Sequence, residues 1–228
     1  MTRLALTALA LTLAAPAPAL AQTVAGDISF DFAVGTDNRS KGASKSEGDP
    51  YAMAGVEWEA NGFYVGAEGQ SIDHSNGSNL EAQISAGWRP EAAGFDFDLS
   101  ATHKWYVDAN PGTENQAWEF TADVSRQLTE RVDARVRFQY SPDSAGSTRS
   151  WTWVEARGRV RVHPRVRLSA AVGRREQVNG RDYTAWNVGA DFKINDHARL
   201  DLRWYDTDVA NPSATYSEAV VAVLSLGF

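Results

Sequence analysis

From residue 27 onward, apolar side chains fall on every second position in a series of short segments. Ile28, Phe30, Phe32 and Val34 alternate with Asp27, Ser29, Asp31 and Gly35. Leu99 and Ala101 alternate with Asp98, Ser100 and Thr102, and Val136 and Phe138 alternate with Arg135, Arg137 and Gln139. A period of two marks a strand with one apolar and one polar face. Twelve such segments are predicted, over residues 27–35, 52–58, 63–68, 80–88, 95–105, 118–124, 131–140, 154–162, 165–172, 186–192, 198–204 and 220–228.

The connections are sorted by length. Short ones follow the even-numbered segments, at residues 59–62, 89–94, 125–130, 163–164 and 193–197. Longer, more polar ones follow the odd-numbered segments, at 37–49, 72–79, 107–115, 141–150, 174–182 and 206–216. An even strand number with short turns at one end and long loops at the other is the plan of bacterial outer-membrane barrels. Closure also gives every backbone group a partner without an exposed edge. The fold class expected is therefore all-β, a transmembrane antiparallel β-barrel of about twelve strands, located in a bacterial outer membrane. Trp58, Trp88, Trp105, Trp118 and Trp204 fall near segment ends, where an aromatic girdle would meet the lipid interface.

Composition refines this picture in three places. The chain carries 8 Trp, 7 Tyr and 9 Phe, so it is aromatic-rich despite a mean hydropathy below zero. Residues 1–21 hold Arg3, an uncharged apolar stretch and the end Ala19-Leu20-Ala21. They read as an export signal cleaved before Gln22, leaving 22–228 as one barrel domain. The chain has no cysteine, so disulfides and thiolate chemistry are excluded. No metal-ligand cluster, nucleotide loop or other cofactor motif is present, and no nucleic-acid partner is expected.

Charge is divided along the chain. Residues 23–120 contain sixteen acids and five bases, whereas residues 121–228 contain thirteen acids and sixteen bases. The bases concentrate on the inward parity of segments seven to nine, at Arg131, Arg135, Arg137, Arg157, Arg159, Arg161, Arg165 and Arg167. Inward acids are expected to face them around the barrel, at Asp27, Asp31, Glu57, Glu68, Asp96, Asp98, Glu119 and Asp123. Arg131 to Arg167, with Asp96, Asp98, Glu119 and Asp123, are the candidate pore-lining residues. Walls of basic side chains are what anion-selective pores use, and Arg135, Arg157 and Arg159 are the expected anion-attracting centre. The alternative is that these side chains meet across the lumen and fill it. Twelve strands lie between the small filled barrels and the wide aqueous ones.

The first long connection, Thr36-Asp37-Asn38-Arg39-Ser40-Lys41-Gly42-Ala43-Ser44-Lys45-Ser46, resembles a segment typical of the TorF-family porins, also called the Gcw_chp family. That family shows Ser-Asp-Tyr-Arg-Phe-Arg-Gly-Ile-Ser-Gln-Ser there. Asp37, Arg39, Gly42, Ser44 and Ser46 match and Lys41 keeps the charge, while Asn38 and Ser40 replace two aromatics. Asp49-Pro50, Gly55, Gly62-Phe63-Tyr64-Val65-Gly66, Asp182-Tyr183, Trp186 and Gly189 are also similar to the family. The resemblance implies a porin-like barrel whose last strand, ending on Phe228, is recognised by the barrel-assembly machinery.

Three function classes follow. The first is a narrow passive pore for small polar or charged solutes. The second is a filled structural or adhesive barrel, whose loop 37–49 meets the acidic lipopolysaccharide surface or folds into the lumen. The third is an outer-membrane lipid hydrolase, for which His74-Ser75-Asn76-Gly77-Ser78 resembles a His-x-Ser-Asn signature. Its spacing is wrong, because adjacent residues on a strand point to opposite faces. A polar turn built on Asn76-Gly77 accounts for the segment, and no enzymatic activity is expected. Outer-membrane lipid and lipopolysaccharide are the expected surroundings.

Overall fold

A computed structural model describes residues 26–145 and 148–228. The expected export signal, residues 1–21, lies outside the described residues. Twelve long strands form one barrel: β1 (Asp27–Gly35), β2 (Tyr51–Ala60), β3 (Phe63–Ser71), β4 (Leu80–Trp88), β5 (Phe95–Val107), β6 (Gln116–Thr129), β7 (Val132–Ser141), β8 (Trp151–His163), β9 (Val166–Gln177), β10 (Tyr183–Lys193), β11 (Ala198–Thr207) and β12 (Ala219–Gly227). Each pairs antiparallel with its chain neighbours. The seam is closed by β1 against β12, with Asp31 opposite Gly227 and Gly35 opposite Val223. Phe30 and Phe228 exchange backbone hydrogen bonds of 2.9 and 3.0 Å there.

The alternation read from the sequence is the alternation of the wall. Ile28, Phe30, Phe32 and Val34 of β1, Val136 and Phe138 of β7, and Val172 of β9 stand exposed on the outer face. Soluble monomers rarely leave apolar patches of more than a few hundred Å2 uncovered. The band runs around the whole barrel. Trp88 stacks on Phe63 at 5.7 Å and Trp118 on Phe120 at 6.3 Å, both on this outer face.

Connection lengths sort as expected but for one pair: residues 178–182, at the long-loop end, are fewer than residues 89–94 at the short-turn end. Asn61-Gly62 joins β2 to β3 with both residues at positive φ, 53° and 78°. That is the two-residue turn whose twist matches an antiparallel pair, and Asn-Gly is its preferred sequence. Several strands run further than the alternation indicated. β6 continues to Thr129, so the turn placed at 125–130 shrinks to two residues. β8 starts at Trp151, β9 runs to Gln177 and β10 starts at Tyr183. For β8 and β10 the reason is shared. At the long-loop end of these strands the inward positions are taken by Trp151, Trp153, Tyr183 and Ala185, which pack together inside the barrel. Apolar residues on both faces erase the period-two signal.

Candidate functional site

Charged and polar side chains gather inside the barrel, and the first long connection lies among them. Residues 37–49 do not extend away from the wall. Arg39–Ser40 pairs antiparallel with Ala43–Ser44, and Lys41 and Gly42 turn between them at φ 54° and 79°. The small hairpin is tied by one carboxylate. Asp37 accepts hydrogen bonds from Arg39 Nε (2.6 Å), Ser44 Oγ (2.6 Å) and Ser46 Oγ (3.2 Å). Asp37, Ser44 and Ser46 are all buried. These are the residues of the family-like motif, and their work is to hold this knot.

The hairpin crosses the bore. Asn38 Nδ2 donates to Gln70 Oε1 of β3 at 2.8 Å. Arg39 donates to the Ser217 carbonyl at 2.6 Å. Lys41 Nζ donates to Glu119 of β6 at 3.1 Å and lies 4.6 Å from the Trp151 ring centre. Lys45 Nζ donates to Glu81 of β4 at 2.7 Å. Tyr183 of β10 donates its hydroxyl to the Lys41 carbonyl at 3.0 Å. Gly42 presses on the wall so closely that a Cβ there would lie 2.2 Å from that of Ala185. Burial holds the Lys41 ammonium far below the ordinary lysine value, at about 7, against the raising pull of Glu119. Lys45 is lowered for the same reason.

Three polar chambers follow one another along the bore, and the crossbar borders two of them. The outer one, about 330 Å3, is lined by the hairpin and the long loops. The middle one, about 430 Å3, lies beneath, and Ser40, Lys41, Lys45, Lys104 and Glu119 border both. The third, about 370 Å3, occupies the end that carries the short turns.

The candidate residues divide between these chambers. Asp98, Glu119, Asp123, Arg137 and Arg157 line the middle one. Asp96, Arg131, Arg159, Arg161, Arg165 and Arg167 line the third. Arg135 stands on the same wall, donating to Glu155 at 2.7 Å with Asp123 at 3.5 Å. The acids are not arrayed only across the bore. Asp123 sits on β6 directly opposite Arg137 of β7 and holds it with two bonds of 2.7 and 2.6 Å. Arg157 reaches Glu155 at 3.4 Å and Arg159 donates to Asp133 at 2.6 Å. Cross-strand neighbours on one face are much closer than the far wall, so charge pairs form along the wall first. On the other side Arg89, from the turn after β4, gathers Glu57, Glu59 and Asp98. Arg135, Arg157 and Arg159 therefore each have a carboxylate neighbour.

Two contributors were not among the candidate site residues, although Tyr183 belongs to the family-like Asp182-Tyr183 pair. Trp153 and Tyr183, 2 % and 1 % exposed, form the floor on which the hairpin tip rests. They share inward parity with Glu155 and Asn187 because β8 begins at Trp151 and β10 at Tyr183. The His74–Ser78 segment is a turn: Asn76 N–H donates to His74 Nδ1 at 3.2 Å, and His74 packs on Tyr106 at 4.5 Å. Among the described residues, His74 and Ser75 share no hydrogen bond. Nor do three His, Asp or Glu side chains converge as metal ligands among them.

The profile of a bacterial protein family of unknown function, Gcw_chp, matches residues 19–225. The chain belongs to the Gcw_chp family. No curated protein matches this Gcw_chp chain in sequence. Solved structures share its fold. A KdgM porin aligns with a TM-score of 0.60 at 8 % identity, covering 88 % of this chain and 98 % of that one. A NanC porin aligns at 0.61 and 9 % identity, covering 87 % and 98 %. The COG4313 outer membrane channel from Pseudomonas putida F1 aligns at 0.55 and 13 % identity, covering 93 % and 98 %. At these identities the likeness is one of architecture.

Proposed function

We propose that this Gcw_chp protein is an outer-membrane porin of the TorF group, a narrow passive pore for small polar or charged solutes. The observation that carries the reading is the run of three charged, polar chambers through a closed barrel with an apolar outer face. In this reading lipid covers the outer band, the long loops face outward towards lipopolysaccharide, and the short turns face the periplasm. Arg131, Arg137, Arg157, Arg159, Arg161, Arg165 and Arg167, with Asp96, Asp98, Glu119 and Asp123, line the path, and Arg135 stands on the same wall. The last strand would be the segment read by the assembly machinery. The hairpin 37–49 is the constriction, since it borders the outer and middle chambers and is tied to three sides of the wall.

The same ties favour a second reading, a barrel held shut by its own loop. Single-channel recording in planar bilayers separates the two. Discrete steps that scale with salt concentration are expected of the refolded protein, and sustained silence would give the molecule to the second reading.

A further inference from the structure

Among the described residues, every cation that lines the middle chamber has a carboxylate partner, whereas several at the short-turn end have none. In the middle, antiparallel register sets Arg135 directly opposite Arg157. Like charges directly opposite on one face of a sheet are destabilising. Here Glu155 lies within 2.7 and 3.4 Å of the two, and Asp123 within 3.5 Å of Arg135.

The short-turn chamber repeats the opposition with thinner compensation. Arg161 of β8 sits directly opposite Arg167 of β9, and Lys193 of β10 directly opposite Arg199 of β11. The chamber is lined by eight cationic side chains and four carboxylates. Asp191 is shared by Arg167 and Arg199, at 3.0 and 3.4 Å. Asp133 is taken by Arg159, and Lys193 is paired with Asp196 at 2.5 Å. Among the described residues, Arg131, Arg161 and Arg165 have no carboxylate within 4.0 Å. A backbone bond of 2.8 Å from Arg161 to the Arg131 carbonyl holds two of these three positions together. The sheet thus carries a repulsion that a bound anion would relieve.

We propose that this chamber binds a small multivalent anion, a solute with two or more carboxylate or phosphate groups, between Arg161, Arg165 and Arg131. Guanidinium forks match such oxyanions in a bidentate manner. Several unpaired forks call for more than one anionic group. The volume, about 370 Å3, falls within the range of small-molecule sites. As a station on a solute path the site rests on the pore reading; as an anion site it is tested apart from it.

Citrate is the probe. Thermal unfolding is followed for protein refolded in a neutral sugar detergent, with sodium chloride matching ionic strength. Citrate is expected to raise the wild-type Tm, and Arg161→Gln with Arg165→Gln to weaken its apparent affinity about tenfold or more. Without citrate the double variant is expected to melt above wild type, because the substitution removes unpaired like charges. Equal citrate responses in the two proteins, or none in either, overturn the proposal. Phospholipid phosphates offer the same chemistry. Loss of the citrate effect in phosphatidylglycerol vesicles, with its retention in phosphatidylcholine vesicles, would assign the site to lipid and overturn the solute proposal. Citrate stabilisation of a preparation that passes no current supports the site while ending the pore reading.

Discussion

The Asp37 carboxylate joins three donors, and one of them is the Arg39 guanidinium, itself almost wholly buried. Removing one partner of a buried ion pair costs about 3–5 kcal/mol, because the other charge is left uncompensated. Asp37→Ala is expected to release the hairpin while the barrel stays folded. Limited proteolysis should then cut within residues 37–49, with the heat-dependent electrophoretic shift of the barrel unchanged. Lys41 supplies a prediction in pH. Its ordinary value of 10.5 falls to about 7 in the folded protein through burial, with Glu119 opposing and Lys104 and Arg175 adding to the fall. Between pH 7 and 10.5 the unfolded chain therefore holds a proton that the folded chain has released, and folded stability climbs with pH. Urea midpoints in vesicles are expected to rise across that window in wild type, and to rise less in Lys41→Met.

At the scale of elements, the wall made by β8, β9 and β10 behaves differently from the rest. Elsewhere polar residues point in and apolar ones out, so the strands were legible from Ile28 to Val34 or from Val132 to Tyr140. Near the long loops of β8 and β10 that wall carries an inward aromatic cluster, and a glycine makes room for it. A Cβ on Gly173 would stand 2.2 Å from the Trp153 ring. Gly173→Val is expected to cost about 1–3 kcal/mol, the usual range for overpacking. It should also displace Trp153 and shift tryptophan fluorescence, which a neutral change on the outer face such as Val172→Ile would not do.

At the scale of the whole molecule, closure of β1 on β12 brings Glu81, Glu119 and Tyr183, which are far apart in the chain, around one hairpin. Lys41→Gln with Lys45→Gln removes the two cationic ties while leaving the Asp37 knot in place. Single-channel conductance is expected to rise above wild type, or to appear if wild type is silent. Unchanged conductance in a channel that does open would show that the hairpin does not set its width.

Period-two alternation determined the strand count, the inward and outward faces and the sorting of connections, because each depends only on neighbours two residues apart. The inward placement of Arg137, Arg157 and Arg159 followed from the same parity. Which carboxylate each arginine meets did not, since that depends on the register between strands. Asp123 pairs with Arg137 because the β6–β7 ladder sets them opposite, and Arg161 faces Arg167 because the β8–β9 ladder does. The course of loop 37–49 was equally beyond local pattern: its motif residues were visible, but lysine–carboxylate bonds to β4 and β6 exist only once the barrel has closed around them.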